Sequence, residues 1–219
     1  GKGKIVDVLA GNYPVVARFQ GGPNAGHSLH FEGKSFVLRS VPSGIFRQDA
    51  INIVGNGVVL DPITFKGECD NIAKTGIPVT KRIVIAKKAH LILPTHRLLD
   101  AANEAAMGKS KIGSTLKGIG PTYTDKIGRY GLRVGDILAA DFEERYTKLQ
   151  NRHITLLNQM GFECDPHAED AAFMEAVNFL KEFELVDCEY YINNLLKDNE
   201  ILAEGAQGSM LDVDYGSYP

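Results

Sequence analysis

Residues 50–54 read Ala-Ile-Asn-Ile-Val and residues 82–86 read Arg-Ile-Val-Ile-Ala, two short runs rich in β-branched side chains. Helix-compatible sequence follows each run, over Pro62–Lys74 and Thr95–Met107. Strands that alternate with helices in this way are the units from which parallel sheets are built. These stretches therefore predict an α/β fold, with a mostly parallel central sheet flanked by helices.

The sequence toward both ends of the chain extends this pattern. Gly1–Ala10 predicts a glycine loop that enters a short helix, and Tyr13–Phe19 predicts a strand directly after it. Ser28–Phe31 and Ser35–Leu38 flank Glu-Gly-Lys, which is a hairpin signal. Near the other end, Ile201–Ala203 is short and apolar, as a buried parallel strand is.

The middle of the chain is poor in glycine. Of 23 glycines, only Gly161 lies between Asp136 and Glu204, and apolar residues recur there at helical spacing. We therefore predict one partial α/β domain over residues 1–219 with an inserted helical subregion over 136–200, and we expect function to lie outside that subregion. The predicted helices are Phe142–Met160, Glu169–Phe183 and Cys188–Lys197.

The composition limits the kinds of protein this chain can be. A content of 44% hydrophobic and 23% charged residues excludes a disordered or collagen-like chain. The net charge of −3 argues against bulk binding of nucleic acid, and no apolar run approaches the roughly 18 residues of a membrane span. Three cysteines without CxxC spacing predict reduced thiols and no zinc site. We expect a soluble, cytoplasmic protein with neither nucleic-acid nor membrane partners, and a small anionic ligand stays possible.

Two glycine-rich segments in the first 28 residues are candidates for ligand binding. Gly1-Lys2-Gly3-Lys4 precedes a predicted helix, and backbone N–H groups at a helix N-terminus favour anions, although a flexible basic terminus explains the segment equally well. The segment lacks the Walker spacing. Gly21–Ser28 is more telling, because it places an amide (Asn24), a histidine (His27) and a hydroxyl (Ser28) on a turn after a strand.

A third candidate is the segment Ile112–Arg129. It combines hydroxyl groups, several glycines and three cations, a composition suited to a phosphate and to the edge of a purine or sugar. The alternative is a solvated surface loop with incidental charges.

Four ordered segments of this chain resemble the adenylosuccinate synthetase family. The pattern Gly118-Ile119-Gly120-Pro121-x-Tyr123-x-x-Lys126-x-x-Arg129 is similar to one of the two signatures of that family. Gly1-Lys2-Gly3 resembles the end of the other signature. The remaining two segments are Gly22-x-Asn24-Ala25-Gly26-His27 and Glu204-Gly205-Ala206-Gln207-Gly208. The resemblance covers essentially the whole chain and implies a P-loop-NTPase-like α/β fold.

The resemblance also implies an activity and its residues. The family forms adenylosuccinate from IMP and L-aspartate with GTP and Mg²⁺, through a 6-phosphoryl-IMP intermediate, in purine nucleotide biosynthesis. By resemblance His27 and Gln207 are catalytic, and the Gly26 carbonyl is a magnesium ligand. Arg129 would reach the IMP phosphate of the partner subunit in a homodimer. The implied GTP-binding residues are Gly1, Lys2, Gly3, Lys4, Gly26, His27 and Ser28, and the implied IMP-binding residues are Gly1, Lys2, Asn24, Ala25, Gly26, His27, Thr115, Arg129 and Gln207.

We expect the chain to be a fragment that is inactive on its own. The catalytic base of the family is an aspartate in a Gly-Asp-Glu segment that would precede Gly1, and no residue of the chain replaces it. Two other interpretations stay open. One is a non-catalytic, dimeric module that binds IMP or phosphate. The other is an unrelated phosphate-loop GTPase or kinase, which the lack of a Walker Ser/Thr disfavours.

Overall fold

The central sheet is parallel throughout in the computed structural model, which describes residues 2–24, 26–31, 33–108, 113–208, 210, 212 and 216–217. The strands of the described residues are β1 (Val15–Gly21), β2 (His27–Phe31), β3 (Lys34–Leu38), β4 (Ile51–Leu60), β5 (Ile83–Ala86), β6 (His90–Leu91), β7 (Glu184–Val186) and β8 (Ile201–Glu204). The sheet has the order β7-β5-β4-β1-β8, and β6 pairs with the end of β4. The predicted fold class is therefore confirmed.

Burial on both faces explains why apolar residues follow one another without alternation at Val15–Ala17 in β1 and throughout β5. In β1, Val15 pairs with Ile51 of β4 and with Ile201 of β8, all in parallel register. All four residues of β5 are buried. Parallel sheets are covered by helices on both faces, so a run without hydrophobic alternation is the expected pattern.

The described part of the chain contains eight α-helices, seven of which follow β1. Asp61 caps the N-terminus of the helix after β4, where its carboxylate accepts the N–H groups of Ile63 and Thr64 at 3.0 and 3.2 Å. Proline follows Asp61 at the first helical position, where no N–H is needed. The helices are α1 (Lys2–Ala10), α2 (Pro62–Ala73), α3 (Val79–Arg82), α4 (Pro94–Ala106), α5 (Ile119–Gly128), α6 (Phe142–Gln159), α7 (Asp170–Leu180) and α8 (Cys188–Leu195).

The predicted hairpin is present, but it forms a sheet of its own. Strands β2 and β3 pair antiparallel, with His27 opposite Leu38, and neither joins the central sheet. A short 3₁₀ helix (Ser43–Phe46) follows the hairpin. This 3₁₀ helix and the start of β2 become neighbours at the candidate site.

Strand β4 (Ile51–Leu60) is longer than the strand predicted at residues 50–54, and its additional part contains Gly55 and Gly57. A Cβ at Gly57 would lie 2.4 Å from the Phe19 carbonyl oxygen, and one at Gly55 would lie 3.0 Å from that of Arg18. The β1–β4 register shifts between Arg18 and Gln20. These glycines therefore permit a close approach of two backbones at an irregularity in the ladder.

Two local predictions need correction, and one helix was not predicted. The predicted helical subregion also contributes β7, the edge strand of the central sheet, which is only three residues long. Helix α1 begins at Lys2, so the predicted loop does not extend over Lys2–Lys4. The candidate segment Ile112–Arg129 contains helix α5. This helix begins after Gly118, whose own backbone is in the left-handed conformation (φ 73°). Glycine and proline near the start of α5 obscured its helical period.

None of the helices in the described residues is long and apolar enough to cross a membrane. The three cysteines are free thiols, as predicted, with Cys69 and Cys188 buried and Cys164 exposed. Burial raises the pKa of Cys188 to about 11, so this thiol stays protonated at neutral pH.

Candidate active site

The structure brings together the predicted turn after β1 and the predicted loop after β8. A Cβ at Gly21, which has φ 79°, would lie 2.5 Å from the Ala206 Cβ and 3.3 Å from Gln207 Oε1. Because β1 and β8 are parallel neighbours, their carboxyl ends meet at one edge of the sheet. Ligands of open α/β sheets bind outside this edge.

The turn itself is held by its own polar groups. Asn24 Oδ1 accepts the Gly22 N–H at 3.0 Å, and the Asn24 N–H donates to the Gly22 carbonyl at 2.8 Å. A Cβ at Gly26 would lie 2.3 Å from Val37 Cγ1, so only glycine fits there. The Asn24 side-chain oxygen is thus used to shape the turn, and Gly26 is exposed beside it.

His27 is the first residue of β2 and lies over a buried carboxylate. Its Nε2 is 2.9 Å from Ser43 Oγ and 3.9 Å from Glu204 Oε1. The Ser43 N–H donates to the other oxygen of the same carboxylate, Oε2, at 2.8 Å. The turn, the 3₁₀ helix and the end of β8 therefore converge on one imidazole.

Two further buried charged residues, Arg18 and Glu68, lie near this site, and the sequence analysis identified neither of them. Arg18 lies opposite Glu204 in the register of the β1–β8 ladder, is 4% exposed and donates to the Gly22 carbonyl at 2.9 Å. Burial lowers the pKa of Arg18, and the charge of Glu204 opposes this effect. Glu68 accepts the N–H groups of three consecutive residues that follow β3, and burial raises its pKa. Those residues are Arg39, Ser40 and Val41.

Tyr123 connects helix α5 to the same turn. Its hydroxyl accepts the Gly21 N–H at 3.1 Å and donates to the Gly57 carbonyl at 2.8 Å. Gly22 lies against Ile119 of the same helix, since a Cβ there would be 3.0 Å from Ile119 Cγ1. The Gly-Ile-Gly-Pro segment and the turn after β1 thus form one structural unit.

A buried network of two histidines and one aspartate anchors α5 from behind. The Nε2 atoms of His96 and His153 lie 3.0 and 2.8 Å from Asp125 Oδ2, and Thr95 Oγ1 is 2.7 Å from His153 Nδ1. Burial would raise the pKa of Asp125, but the two imidazole hydrogen bonds outweigh it and hold that pKa well below its usual value. Burial lowers the pKa of His96 to about 4, although the bond to Asp125 opposes this.

The His96–Asp125–His153 cluster has metal-ligating residue types, but its hydrogen bonds do not suit a metal ion. His96 Nδ1 accepts the Leu93 N–H at 2.9 Å, which places the ring proton on Nε2. A metal would need the Nε2 lone pair and so would force that proton to face an N–H donor. The cluster is a structural network that joins α4, α5 and α6.

The remaining predicted site residues lie near the surface or outside the described residues. Thr115 and Ser28 are exposed. Arg129 is exposed at the C-terminal end of α5 in a left-handed conformation (φ 63°), which is unfavourable for a residue other than glycine. Lys2, Gly3 and Lys4 form the first turn of α1, and their side chains are outside the described part. Gly1 and Ala25 also lie outside the described residues.

A groove of about 700 Å³ lies elsewhere, between β3 and α2. Its lining includes Lys34, Arg39, Asn71 and Lys74, and none of the predicted site residues. Cavity volume and sequence motifs therefore point to different places on the surface. The motifs are supported by the converging contacts at the carboxyl edge of the sheet, where α/β proteins bind ligands.

A glycine turn, a histidine and a carboxylate lie together at the carboxyl ends of the parallel strands. This arrangement defines a class of ligand-binding α/β proteins. The chain is a member of this class.

Comparison with known proteins identifies the family. The sequence model of the adenylosuccinate synthetase family matches residues 1–219, and the chain belongs to this family. It is 59% identical over 220 residues to the adenylosuccinate synthetase of Parabacteroides distasonis, covering 100% of this chain and 52% of that protein.

One solved structure agrees with this assignment, and a second agrees with the fold. The fully ligated adenylosuccinate synthetase of Plasmodium falciparum matches with a TM-score of 0.84 and 32% identity, over 100% of this chain and 51% of the other. A cyanophage succinoaminodeoxyadenylate synthetase matches with a TM-score of 0.62 and 24% identity over 100% of this chain and 51% of the other, which supports the fold alone. The chain thus spans about half the length of the relatives it matches.

Proposed function

We propose that a protein containing this chain catalyses the GTP-dependent ligation of IMP and L-aspartate to adenylosuccinate in the cytoplasm, through 6-phosphoryl-IMP. This reaction is the first step from IMP toward AMP in purine nucleotide biosynthesis. The observation that carries the proposal is membership of the adenylosuccinate synthetase family over all 219 residues. The contact between the Gly21 turn and Gln207 at the carboxyl edge of the sheet supports it.

His27 is the residue to which we assign assistance of phosphoryl transfer. The purine oxygen O6 is a poor leaving group, so GTP first phosphorylates it and the amine of aspartate then displaces the phosphate. An imidazolium can donate to the oxygens of the transferred group, where negative charge must be stabilised. Gln207, which lies beside Gly21, is assigned to the O6 edge of the purine.

Binding of the nucleotides is assigned to the two glycine-rich segments and to α5. The N-terminal turn of α1 (Lys2–Lys4, with Gly1), Gly26, His27 and Ser28 would bind GTP, because N–H groups at a helix start favour phosphate. The other IMP contacts are assigned to Asn24, Ala25, Gly26 and Thr115, in addition to Gly1, Lys2 and His27.

Magnesium is assigned to the Gly26 carbonyl. A carbonyl oxygen suits Mg²⁺, which usually completes its coordination with phosphate oxygens and water. Gly26 is exposed and so accessible to such an ion, whereas Glu204 is buried and already accepts the Ser43 N–H. When bound, the ion would neutralise charge on the phosphates of GTP.

Arg129 is assigned to the IMP phosphate of a partner subunit in a homodimer. Its guanidinium can bind a phosphate through two parallel hydrogen bonds, which lysine cannot do. The exposed side chains Ile127 (71%) and Tyr130 (52%) flank it, and apolar exposure of this kind is common at protein interfaces.

Calorimetry on the 219-residue chain tests the binding part of the proposal. IMP is expected to bind, and His27→Asn should leave this binding within a few fold. GTP binding without any IMP binding would instead show that the residues assigned to IMP do not form an IMP site in this chain. If IMP and GTP both fail to bind a folded chain, the assignment of the nucleotide sites is wrong.

Catalysis needs a second measurement. The chain alone is expected to form no adenylosuccinate, since no residue of it matches the catalytic aspartate of the family. Near-normal product formation by the chain alone would contradict this. A chimaera that joins the chain to the rest of the Parabacteroides distasonis relative is expected to be active, and His27→Asn should lower kcat in it by about 10²–10⁴. An inactive chimaera that binds IMP would favour the non-catalytic, dimeric module.

A further inference from the structure

The loop of residues 114–118 carries Thr115, which is assigned to IMP, and leads directly into α5. Thr115 is exposed, and the next residue, Leu116, has a left-handed backbone with φ 55°. This conformation is disfavoured roughly tenfold for a residue with a side chain. The 114–118 loop therefore needs contacts from another element to hold its shape.

These contacts come from two acidic side chains of α4. Asp100 accepts the Ser114 hydroxyl at Oδ1 (2.6 Å) and the Gly118 N–H at Oδ2 (2.9 Å). Glu104 accepts the Ser114 N–H at 2.9 Å through Oε1. The Ser114 hydroxyl oxygen in turn accepts the Leu116 N–H at 3.1 Å. The first and last residues of the loop are thus bound to one carboxylate, and the Leu116 amide is bound to the first residue.

The loop also lies directly against the backbone of α4. A Cβ at Gly118 would lie 2.9 Å from the Arg97 nitrogen, so only glycine fits at this contact. Asp100 is 9% exposed, and a buried carboxylate is unfavourable unless donors compensate it. Two like charges four residues apart, as Asp100 and Glu104 are, also destabilise a helix slightly. Helix α4 itself therefore gains nothing from this acidic pair, whose hydrogen bonds go to the loop.

The charge of Asp100 and its hydrogen bonds have opposite effects on an anionic ligand. IMP is an anion, and a carboxylate near its binding loop repels it. Only the shape that Asp100 gives to the loop can favour binding. The two effects can be separated by experiment because they differ in sign.

We propose that Asp100 is a positioning residue that holds the 114–118 loop in the shape in which Thr115 contacts the anionic ligand. The consequence for IMP rests on the proposed function, whereas the attachment of the loop does not. Asp100 contacts no ligand in this scheme and acts through Ser114 and Gly118. A loop that is released from Asp100 has this shape about one-tenth of the time, because Leu116 disfavours it, and the affinity for the ligand falls by the same factor.

Calorimetry with IMP on the 219-residue chain tests the effect on binding. Asp100→Ala removes both acceptors and should weaken IMP binding about tenfold. In Asp100→Asn the carboxamide can accept the Gly118 N–H and donate to the Ser114 hydroxyl oxygen, so this variant keeps both attachments without the charge. It should bind IMP at least as tightly as the wild type. Asn103→Ala, a truncation at an exposed position of α4, should leave the affinity unchanged.

An effect of charge alone would give a different result. Both substitutions of Asp100 would then tighten IMP binding, and this outcome would overturn the proposal. Equal IMP affinity in the wild type and in a folded Asp100→Ala variant would overturn it as well.

Amide hydrogen exchange tests the attachment of the loop without any ligand. The protection of the Gly118 N–H should fall at least about tenfold in Asp100→Ala and persist in Asp100→Asn, while the amides of β4 exchange as in the wild type. Unchanged protection of Gly118 in Asp100→Ala would refute the attachment. If the wild-type chain binds no IMP but Gly118 loses protection in Asp100→Ala, the result contradicts only the proposed function.

Ser114→Ala keeps the test decisive even if Asp100→Ala does not fold. It removes the hydroxyl that joins Asp100 to the Leu116 N–H and changes no charge. The Leu116 amide should exchange faster in this variant, and IMP should bind several-fold more weakly. Wild-type exchange at Leu116 together with wild-type IMP affinity would show that the loop keeps its shape without this attachment, against the proposal.

Discussion

Lowering the pH from 7 to 5 is expected to destabilise the fold by about 2 kcal/mol through His96 alone. His96 is fully buried, and its pKa in the folded protein is about 4, against an ordinary value of 6.5. As the pH falls below 6.5, the unfolded chain takes up a proton that the folded protein does not. The contribution of neutral His96 to the free energy of unfolding is therefore fully present above the pKa that His96 has in the unfolded chain. It is lost as the pH falls toward the pKa of His96 in the folded protein.

The magnitude follows from the two pKa values. At pH 5 the unfolded histidine is almost fully protonated and the folded one is about one-tenth protonated, which corresponds to about 2 kcal/mol. At pH 4 and below, the destabilisation of the fold by His96 approaches about 3 kcal/mol. The pKa of Asp125 is held low in the folded protein, so its contribution is lost only at still lower pH.

The matched variant is His96→Asn, measured by urea unfolding at pH 7 and pH 5. Asparagine can still accept the Leu93 N–H but cannot donate to Asp125. At pH 7 the variant should be less stable than the wild type by about 2 kcal/mol, since a hydrogen bond to a charged acceptor is lost. At pH 5 the free energies of unfolding of the two proteins should converge, because only the wild type loses stability through proton uptake by His96 in the unfolded chain.

His90, whose burial lowers its pKa to about 4, titrates in the same range, but it is present in both proteins and cancels in the comparison. His167→Asn is a surface control, because the side chain of His167 is 59% exposed and lies outside the network. This variant should keep the pH dependence of the wild type. If His96→Asn and the wild type lose equal stability between pH 7 and pH 5, the assignment of the acid sensitivity to His96 is wrong.

Two matched pairs of substitutions test the backbone of the fold. Gly57→Ala should destabilise the chain by about 2–3 kcal/mol, because its Cβ would lie 2.4 Å from the Phe19 carbonyl oxygen, whereas Gly67→Ala on α2, with nothing within 4 Å, should stabilise it by about 0.5–1 kcal/mol. Equal effects of the two in urea unfolding would contradict the close approach. Arg129→Gly should stabilise the chain by about 1 kcal/mol by relieving its positive φ, and Arg129→Ala should not. A gain in melting temperature for both would mean that the guanidinium, and not the backbone, is unfavourable.

The sequence predicts most elements of the central sheet because their signals are local. Consecutive β-branched residues place β5, and the helix-compatible stretch Pro62–Lys74 places α2. Strand β7 is missed, since three residues between two helices carry no period of their own. The full length of β4 is missed as well, because Gly57 weakens a strand by itself and is required only by the backbone of a neighbouring strand.

The amino-acid sequence by itself determined the fold class, the family and the segments that carry the motifs, including His27 and Gln207. It did not determine what supports them. Ser43 and Glu204 are 161 residues apart and Gly21 and Tyr123 are 102 apart, yet each pair is hydrogen-bonded. Periodicity reports only which face of an element is buried. Which elements meet at that face depends on the order of strands in the sheet, so the carboxylate under His27 is visible only in the tertiary structure.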